Sequence, residues 1–387
     1  MEVILIANYP LDRQESMERF AQMLSDGLNE AGVETQIWRP TVFFASAAQR
    51  TNKGIFKWLG YLDKWILFSL VLRWRVFIGG LGNKDGVYFH ICDHSNAPYL
   101  QHLPSRKTTI TCHDVLAIRG AFGFSDAHCD ATAFGKLLQR WIFNNLSKSK
   151  RLAAVSQLTL TQLEELQPTH KSLLKDWRVI HNAFNSDYFP LPSDESEPLL
   201  KVAGIDTSIP YLLHVGQSHQ RKNRKMLLDM VHLAGDRWLG NICFAGQPID
   251  DELKKHAQEL NLSNRIISVV KPSNIALLAL YSNCYAFVFP SFSEGFGWPI
   301  IEAQACGVPV IASNVEPMPE VSGKNALHAS PFQPQEFANA LLALSDEKLR
   351  SELIEGGFKN SRRFGRKKMI EAYLDLLNIE KQTLVYG

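Results

Sequence analysis

The run from Ala286 to Val321 constrains this chain more than any other. Ala286 to Pro290 is an apolar, alternating stretch that reads as a strand. It ends in the polar loop SFSEGFG, and the loop opens into a helix whose first turn suits Pro299. A strand, a tight turn and a helix N-terminus gather free backbone N–H groups at one spot, where Gly295 and Gly297 let the main chain approach a ligand closely. Such a spot attracts an anion, so a phosphate or a diol fits it. Glu294 lies in the loop and Glu302 is expected in the first helical turn, with seven residues between them. One carboxylate can then meet a ligand while the other sits a turn deeper. Taken alone, the two acids are also compatible with a solvated loop residue and a side chain that merely suits the positive end of a helix.

With 387 residues the chain exceeds one ordinary core, so two domains are expected. A hydrophobic content of 45% supplies apolar material for both, and the formal net charge of +2 gives no support to a nucleic-acid partner. Cys92, Cys112, Cys129, Cys243, Cys284 and Cys306 lack C-x-x-C spacing. They read as buried thiols of a reducing compartment rather than a disulfide framework or a metal site. A strand at Val3 to Ala7 begins without a basic and then apolar leader, and the most apolar helical stretch, Trp65 to Leu72, is far short of the ~20 residues needed to span a bilayer. A cytoplasmic location is therefore expected.

The first half alternates strands and helices. Val3 to Ala7 leads through the loop NYPLDRQES into a helix with apolar spacing at Met17, Phe20, Ala21, Leu24 and Leu28, and the strand Val33 to Trp38 follows. That is the opening of a doubly wound α/β sheet. Residues 50–84 hold seven Lys or Arg against the single acid Asp63, interleaved with aromatic residues. They read either as a core helix with solvated flanks or, across 50–77, as a peripheral membrane contact, with Lys57, Lys64 and Arg75 forming a basic stripe if the helix is continuous. Strands at Val87 to Ile91 and Lys107 to Thr111 lead into Asp93 and into Cys112, His113 and Asp114. His113 therefore falls outside the carboxyl end of a strand, where open α/β sheets bind ligands, while Asp114 can equally cap the next turn. Ser156 suits a helix N-cap.

PLPSDESEP, within residues 190–198, has no apolar periodicity and reads as the linker, so the expected division is 1–190, a linker at 191–200, a second domain at 201–364 and a final helix from 365 to 387. The same alternation then restarts at the strand Tyr211 to Val215. Gly216 opens a loop that brings Arg221 and Lys222 to a helix start. Cations are disfavoured at that end of a helix unless something negative is near, so a diphosphate clamp is one reading and a solvated helix start the other. Strands at Ile242 to Ala245 and Arg265 to Val270 complete the pattern.

Three segments resemble one family. The string SFSEGFGWPIIEAQACGVPVIASNVEPMPEV resembles the E-x7-E signature of family-four retaining glycosyltransferases; VGQSHQRKN resembles their phosphate-binding segment, and TCHD their active-site histidine motif. The resemblance implies a GT-B fold: two doubly wound Rossmann-like domains facing a central cleft, with the final helix crossing back to the first. It implies transfer of a hexose from a UDP- or GDP-sugar to a hydroxyl of a glycan or lipid-linked acceptor, with retention, no cofactor and no metal. By the same resemblance Glu302 meets the donor ribose, Glu294 the transferred sugar, Arg221 and Lys222 the pyrophosphate, and His113 the sugar and reacting centre. Gly216, Gly295, Phe296 and Gly297 would hold donor by backbone, and Val270 would lie beside the base. The chain departs from many members in placing Gln217 rather than arginine after Gly216. The Arg-Lys-Asn form resembles that of mannosyltransferases of the family, and a glucosyltransferase is the other expectation. A sugar phosphorylase or nucleotide-sugar epimerase on the same scaffold, and an inactive nucleotide-sugar-binding subunit, are the alternatives.

Overall fold

A computed structural model of the protein describes residues 1–51, 53–128, 132–167 and 175–379. Its backbone divides into two compact units, one formed by residues 1–185 together with 366–387 and the other by residues 186–365. Cys129 lies outside the described residues; the other five cysteines are buried free thiols.

The first unit is built on a six-stranded sheet. Its strands are β1 (Glu2–Ile6), β2 (Glu34–Trp38), β3 (Val87–Ile91), β4 (Thr108–Cys112), β5 (Arg151–Ala154) and β6 (Asp176–Val179). All are parallel, in the order β2-β1-β3-β4-β5-β6. Parallel strands covered on both faces need side chains that tolerate burial on both, which is why VILI in β1 and TTITC in β4 are nearly continuous buried runs. One face is closed by the helix Glu15–Glu30, which buries Phe20, Leu24 and Leu28, and by the chain's last described helix, Arg366–Leu377. Gly27 makes room for the latter, since a Cβ there would stand 2.5 Å from Ile370. Tyr373 reaches the sheet interior, its hydroxyl 2.8 Å from Thr111 Oγ1.

The second unit repeats the plan with β7 (Tyr211–Gly216), β8 (Asn241–Gly246), β9 (Ile266–Val270), β10 (Ala286–Phe289), β11 (Val310–Ser313) and β12 (Leu327–Ala329). The order is β12-β11-β10-β7-β8-β9, again all parallel. The three-residue β12 is too short to show a period and was not legible in the sequence. In both sheets the strand order reverses beside the first strand, between β1 and β3 and between β7 and β10. That gap at the carboxyl ends is where open α/β sheets receive ligands.

Two expectations are corrected. Residues 191–200 are not a bare linker, because Ser193–Val202 is a helix. Asp194 and Glu195 in its first turn suit the helix dipole, and Leu200 is fully buried, the helix packing on Asn274–Asn283. A local composition of Pro, Ser and acids hid a helix that tertiary packing stabilises. The basic stripe also fails. The run from Gly54 to Ile78 is helical throughout, but Lys64 turns inward to pair with Asp12 at 2.8 Å, so Lys57, Lys64 and Arg75 do not share an exposed line. No helix among the described residues is long and apolar enough to cross a membrane.

Gly246, the last residue of β8, has φ +118°, and a Cβ on it would lie 2.6 Å from the Gly216 carbonyl oxygen of β7. Neither backbone can yield without breaking the ladder between them. Gly246→Ala should therefore destabilise the protein by at least about 2 kcal/mol, measured by urea denaturation, whereas an alanine that adopts the site with unchanged stability would show that the two strand ends are loosely held.

Candidate functional site

At the carboxyl end of β10 the chain turns through Ser291, Phe292 and Ser293 to Glu294. Ser291, Ser293 and Glu294 are all buried. A buried carboxylate is costly unless it is paired. Glu294 is paired twice: Lys222 Nζ donates to Oε1 at 2.5 Å and an Arg221 N–H donates to Oε2 at 2.6 Å. Arg221 also donates to the Ser293 carbonyl at 3.0 Å, and the Phe292 N–H donates to the Arg221 carbonyl at 2.8 Å. Burial works against the charge on Glu294, but Lys222 and Arg221 outweigh it and hold the carboxyl at about 2, against 4.5 ordinarily. Burial likewise pulls the Lys222 ammonium below its usual value, with Glu294 opposing. The Lys222 ammonium also stands 4.9 Å from the Phe289 ring centroid.

Both cations sit in the short 3-10 turn Gln220–Lys222, ahead of the helix Lys225–Ala234. The negative group their position demanded is Glu294 itself. Asn223 locks this turn to β10, because its φ of +50° is one an asparagine tolerates and its side-chain amide donates to the carbonyls of Pro290 (3.1 Å) and Pro331 (2.8 Å). The signal for that role is an Asn immediately after the two cations, and sequence reasoning gave it no site role. Gly216 ends β7 next door, its missing Cβ leaving 3.7 Å to Lys222 Cε and 3.5 Å to His214 Nε2. His214 was also missed. Its Nδ1–H donates to the Val288 carbonyl at 3.1 Å, so it ties β7 to β10 across the point of order reversal, and burial lowers its pKa to about 3. The imidazole is therefore neutral, with Nε2 as its acceptor nitrogen.

The helix Trp298–Ala305 starts at Gly297, whose φ of +101° is in the left-handed region that a glycine supplies without strain. Pro299 lies in its first turn. Glu302 does not: it is the fifth helical residue, in the second turn, where it is buried and accepts a hydrogen bond from the Tyr281 hydroxyl at 2.9 Å. Thus Glu294 and Glu302 are separated in role by the helix start, one ion-paired at the strand end and the other hydrogen-bonded below it. Phe296 is buried and packs edge-on to Phe364, so its side chain belongs to the core. Val270 ends β9 at the sheet edge and is exposed. Gly295 lies in the turn between Glu294 and the helix start.

The first unit carries a matching polar group at its own reversal point. Asn8, just beyond β1, donates to Asp93 beyond β3 at 2.5 Å and accepts from the Asn96 side chain at 3.0 Å. Asp93 also accepts from the Ser95 N–H and hydroxyl. His113 follows β4 directly. Its Nε2–H donates to the Cys92 carbonyl at 2.9 Å and its ring stands edge-on to Phe20 at 4.5 Å. The Cys92 carbonyl fixes the proton on Nε2, making Nδ1 the acceptor nitrogen, and burial lowers the pKa so that the ring is neutral near pH 7. Asp114 accepts from the Leu116 N–H and acts as a cap. The Asn8 and Asp93 pairing was invisible in sequence because 84 residues separate the two.

The chain thus combines two Rossmann-like sheets, a carboxylate clamped by two cations at one switch point and a buried histidine after β4 of the other sheet. Residues 196–360 match the family described as glycosyl transferases group 1. The O-antigen chain mannosyltransferase B of Escherichia coli is 28% identical over 286 residues, covering 73% of this chain and 71% of that one. The chain is a glycosyltransferase with the GT-B fold. Its fold is shared with the sucrose-phosphate synthase of Thermosynechococcus elongatus at a TM-score of 0.71, 18% identity and 98% coverage of both chains. Anabaena Alr3699/HepE, solved with UDP and glucose, gives a TM-score of 0.71 at 16% identity, covering 98% of this chain and 99% of that one. In this glycosyltransferase the residues matched by the family include the whole Arg221, Lys222, Glu294 and Glu302 arrangement.

Removing Glu294's charge leaves two cations facing a buried neutral group. Glu294→Gln should cost about 3 to 5 kcal/mol of unfolding free energy at pH 7. Folding depresses this carboxyl from 4.5 to about 2, so the native state binds fewer protons there than the unfolded chain does. The stability gap between native and variant should be full above the unfolded value, shrink as pH falls below it, and vanish once pH passes the folded value. Urea titrations across that range measure it; a gap independent of pH would contradict the ion-paired geometry.

Proposed function

We propose that this glycosyltransferase is a retaining enzyme of family four that moves a hexose, mannose first among the candidates, from a nucleotide-diphosphate sugar to a hydroxyl of a glycan or lipid-linked acceptor. The observation that carries the reading is the Glu294 carboxylate, kept ionised between Arg221 and Lys222 beside a helix start opened by Gly297. Mannose is favoured by the name of the Escherichia coli relative, and the nucleotide-sugar class by the UDP and glucose in the Anabaena structure of like fold. The 201–364 region is assigned the donor and the 1–190 region the acceptor. Peripheral membrane contact within residues 50–77 belongs to this reading.

The chemistry follows from the charges. A guanidinium has five donors and an ammonium three, so pairing with Glu294 exhausts neither. Arg221 and Lys222 can keep that contact and still take the oxygens of a diphosphate, and Glu294 holds them in place before the donor arrives. Glu294 then accepts from hydroxyls of the transferred sugar, Glu302 from the donor ribose, and backbone N–H groups of 295–297 donate to sugar and phosphate. Gly216 gives close backbone access, and the main chain at Val270 meets the base. Neutral His113 offers Nδ1 to a sugar hydroxyl; it orients and does not carry the reacting proton.

In the step itself the bond from the anomeric carbon to the diphosphate oxygen breaks, the acceptor oxygen bonds to the same face of that carbon, and the acceptor's proton passes to the departing phosphate oxygen. The growing charge on the diphosphate is met by Arg221, Lys222 and the helix start, which supports a reaction independent of divalent metal. A double displacement would need a carboxylate behind the anomeric carbon, and Glu294 is committed to its two cations and the sugar hydroxyls.

Thermal-shift screening of UDP, GDP and their sugars should raise the melting temperature with one nucleotide class, GDP-mannose first. With the donor so identified, transfer should persist in EDTA. The product should keep the donor's anomeric configuration by NMR, and mass spectrometry should find no sugar adduct on Glu294. An inverted product, an adduct on Glu294, or activity lost to EDTA and restored by magnesium would each refute the corresponding element. Donor consumption should also require acceptor, which separates a transferase from an epimerase.

A further inference from the structure

The helical run Gly54–Ile78 is inverted with respect to an ordinary surface helix. Its inward side carries Asp63, Phe68, Leu72 and Val76, all buried. Its outward side carries Trp58, Leu62, Ile66, Leu70, Trp74 and Ile78, with exposures of 53%, 36%, 53%, 60%, 60% and 78%. These six recur at every fourth residue. In a pure α-helix such a series drifts by about 40° per step, because a turn holds 3.6 residues. Here α-helical stretches at Gly54–Tyr61 and Phe68–Arg73 alternate with wider π-helical ones at Leu62–Leu67 and Trp74–Ile78. The wider turns hold more than four residues, offset the drift and straighten the six side chains into one ridge roughly 30 Å long.

The surroundings extend this ridge and fix its charge. Phe134, itself exposed, packs edge-on against Trp58 at 4.8 Å, and Leu137 is exposed one turn further on. Asp63, the single acid of residues 50–84, is fully buried. It accepts from the Tyr9 hydroxyl at 2.6 Å and from the N–H groups of Phe43, Phe44 and Ala45, so it presents no negative charge outward and steadies a loop with two more exposed phenylalanines. Lys53, Arg73, Arg75 and Lys136 are exposed around these apolar groups. Indole rings near both ends of an apolar ridge, long cations beside it and no exposed carboxylate among the described residues of 50–84 match the boundary between anionic headgroups and acyl chains.

We propose that the ridge Trp58, Leu62, Ile66, Leu70, Trp74 and Ile78 seats this enzyme in the headgroup boundary of an anionic bilayer, with Lys53 and Arg73 against lipid phosphates. This deepens the membrane contact of the proposed function, replacing a basic stripe with an apolar ridge, and it depends on that reading only for the acceptor. The ridge is tied to the loop after β1: Lys64 pairs with Asp12, Thr51 donates to the same carboxylate at 2.8 Å, and Tyr9 is held by Asp63. Seating the ridge therefore fixes the carboxyl end of β1 relative to the bilayer, which suits an acceptor carried on a lipid.

Flotation of the full chain with vesicles of phosphatidylglycerol and phosphatidylethanolamine tests this. The native chain should float, and Ile66→Asp with Leu70→Asp should reduce partitioning at least about tenfold, since both side chains are exposed and their loss leaves the core intact. Lys53→Glu with Arg73→Glu should weaken partitioning on these vesicles and leave phosphatidylcholine vesicles unaffected. Flotation of the double aspartate variant at the native level would overturn the proposal. So would a native chain that does not float but forms dimers, by light scattering, that the aspartates abolish; the ridge would then be a contact between copies. The nucleotide-induced thermal shift, measured on the same variants, reports on the transfer reading separately and should be unchanged by the aspartates.

Discussion

The second unit depends on one ion triad built around a buried carboxylate. Glu294 lies at the strand end where the sheet order reverses, and a carboxylate there would be expelled or neutralised without Lys222 and Arg221. The pairing does several things at once. It joins the loop after β10 to the turn after β7, it makes burial of Glu294 and Lys222 tolerable, and it sets cationic donors beside a helix start. Breaking such a triad costs more than making it gains, so its value is in geometry more than in stability. A site that must meet a charged leaving group benefits from that preference.

The two units solve the same problem with different chemistry. Each has a gap beside its first strand, and each bridges it with polar side chains far apart in sequence. In the second unit the bridge is ionic, Lys222 to Glu294; in the first it is amide to carboxylate, Asn8 to Asp93. The ionic bridge puts two cations side by side at a strand end, which is why the proposed function gives them a phosphate-bearing ligand. The Asn8 and Asp93 bridge is saturated by Ser95 and Asn96, and it steadies the main chain near His113 rather than offering charge. His113 is in turn neutral and oriented by the Cys92 carbonyl.

The inward Lys64 and the outward Trp58, Ile66 and Leu70 show how a helical wheel misleads when the helix is not uniform. Alternating α and π turns change the angle per residue, so a periodicity computed at one fixed angle assigns side chains to the wrong face. Asp63 is the source of the inversion. It is an acid, yet it is the residue drawn inward, because three backbone N–H groups and the Tyr9 hydroxyl give its oxygens hydrogen-bond partners.

The sequence by itself determined the alternation of strands and helices, since the central strands of both sheets are buried parallel segments with apolar runs of the right length, while the edge strands β2, β6 and β9 are only partly buried. It also determined the strand-loop-helix around Glu294 and the N-cap at Ser156, which rest on contacts between near neighbours, and it put two cations side by side ahead of a helix. Only the tertiary structure decided that Ser193–Val202 is helical, that Glu302 lies a turn deeper than the local pattern implied, and that Lys64 is spent on Asp12. It alone revealed Asn223, His214 and the bridge from Asn8 to Asp93. The physical reason is common to all of these: their partners stand tens of residues away along the chain, and a group's burial and charge state are set by what folding brings beside it, which local propensity does not encode.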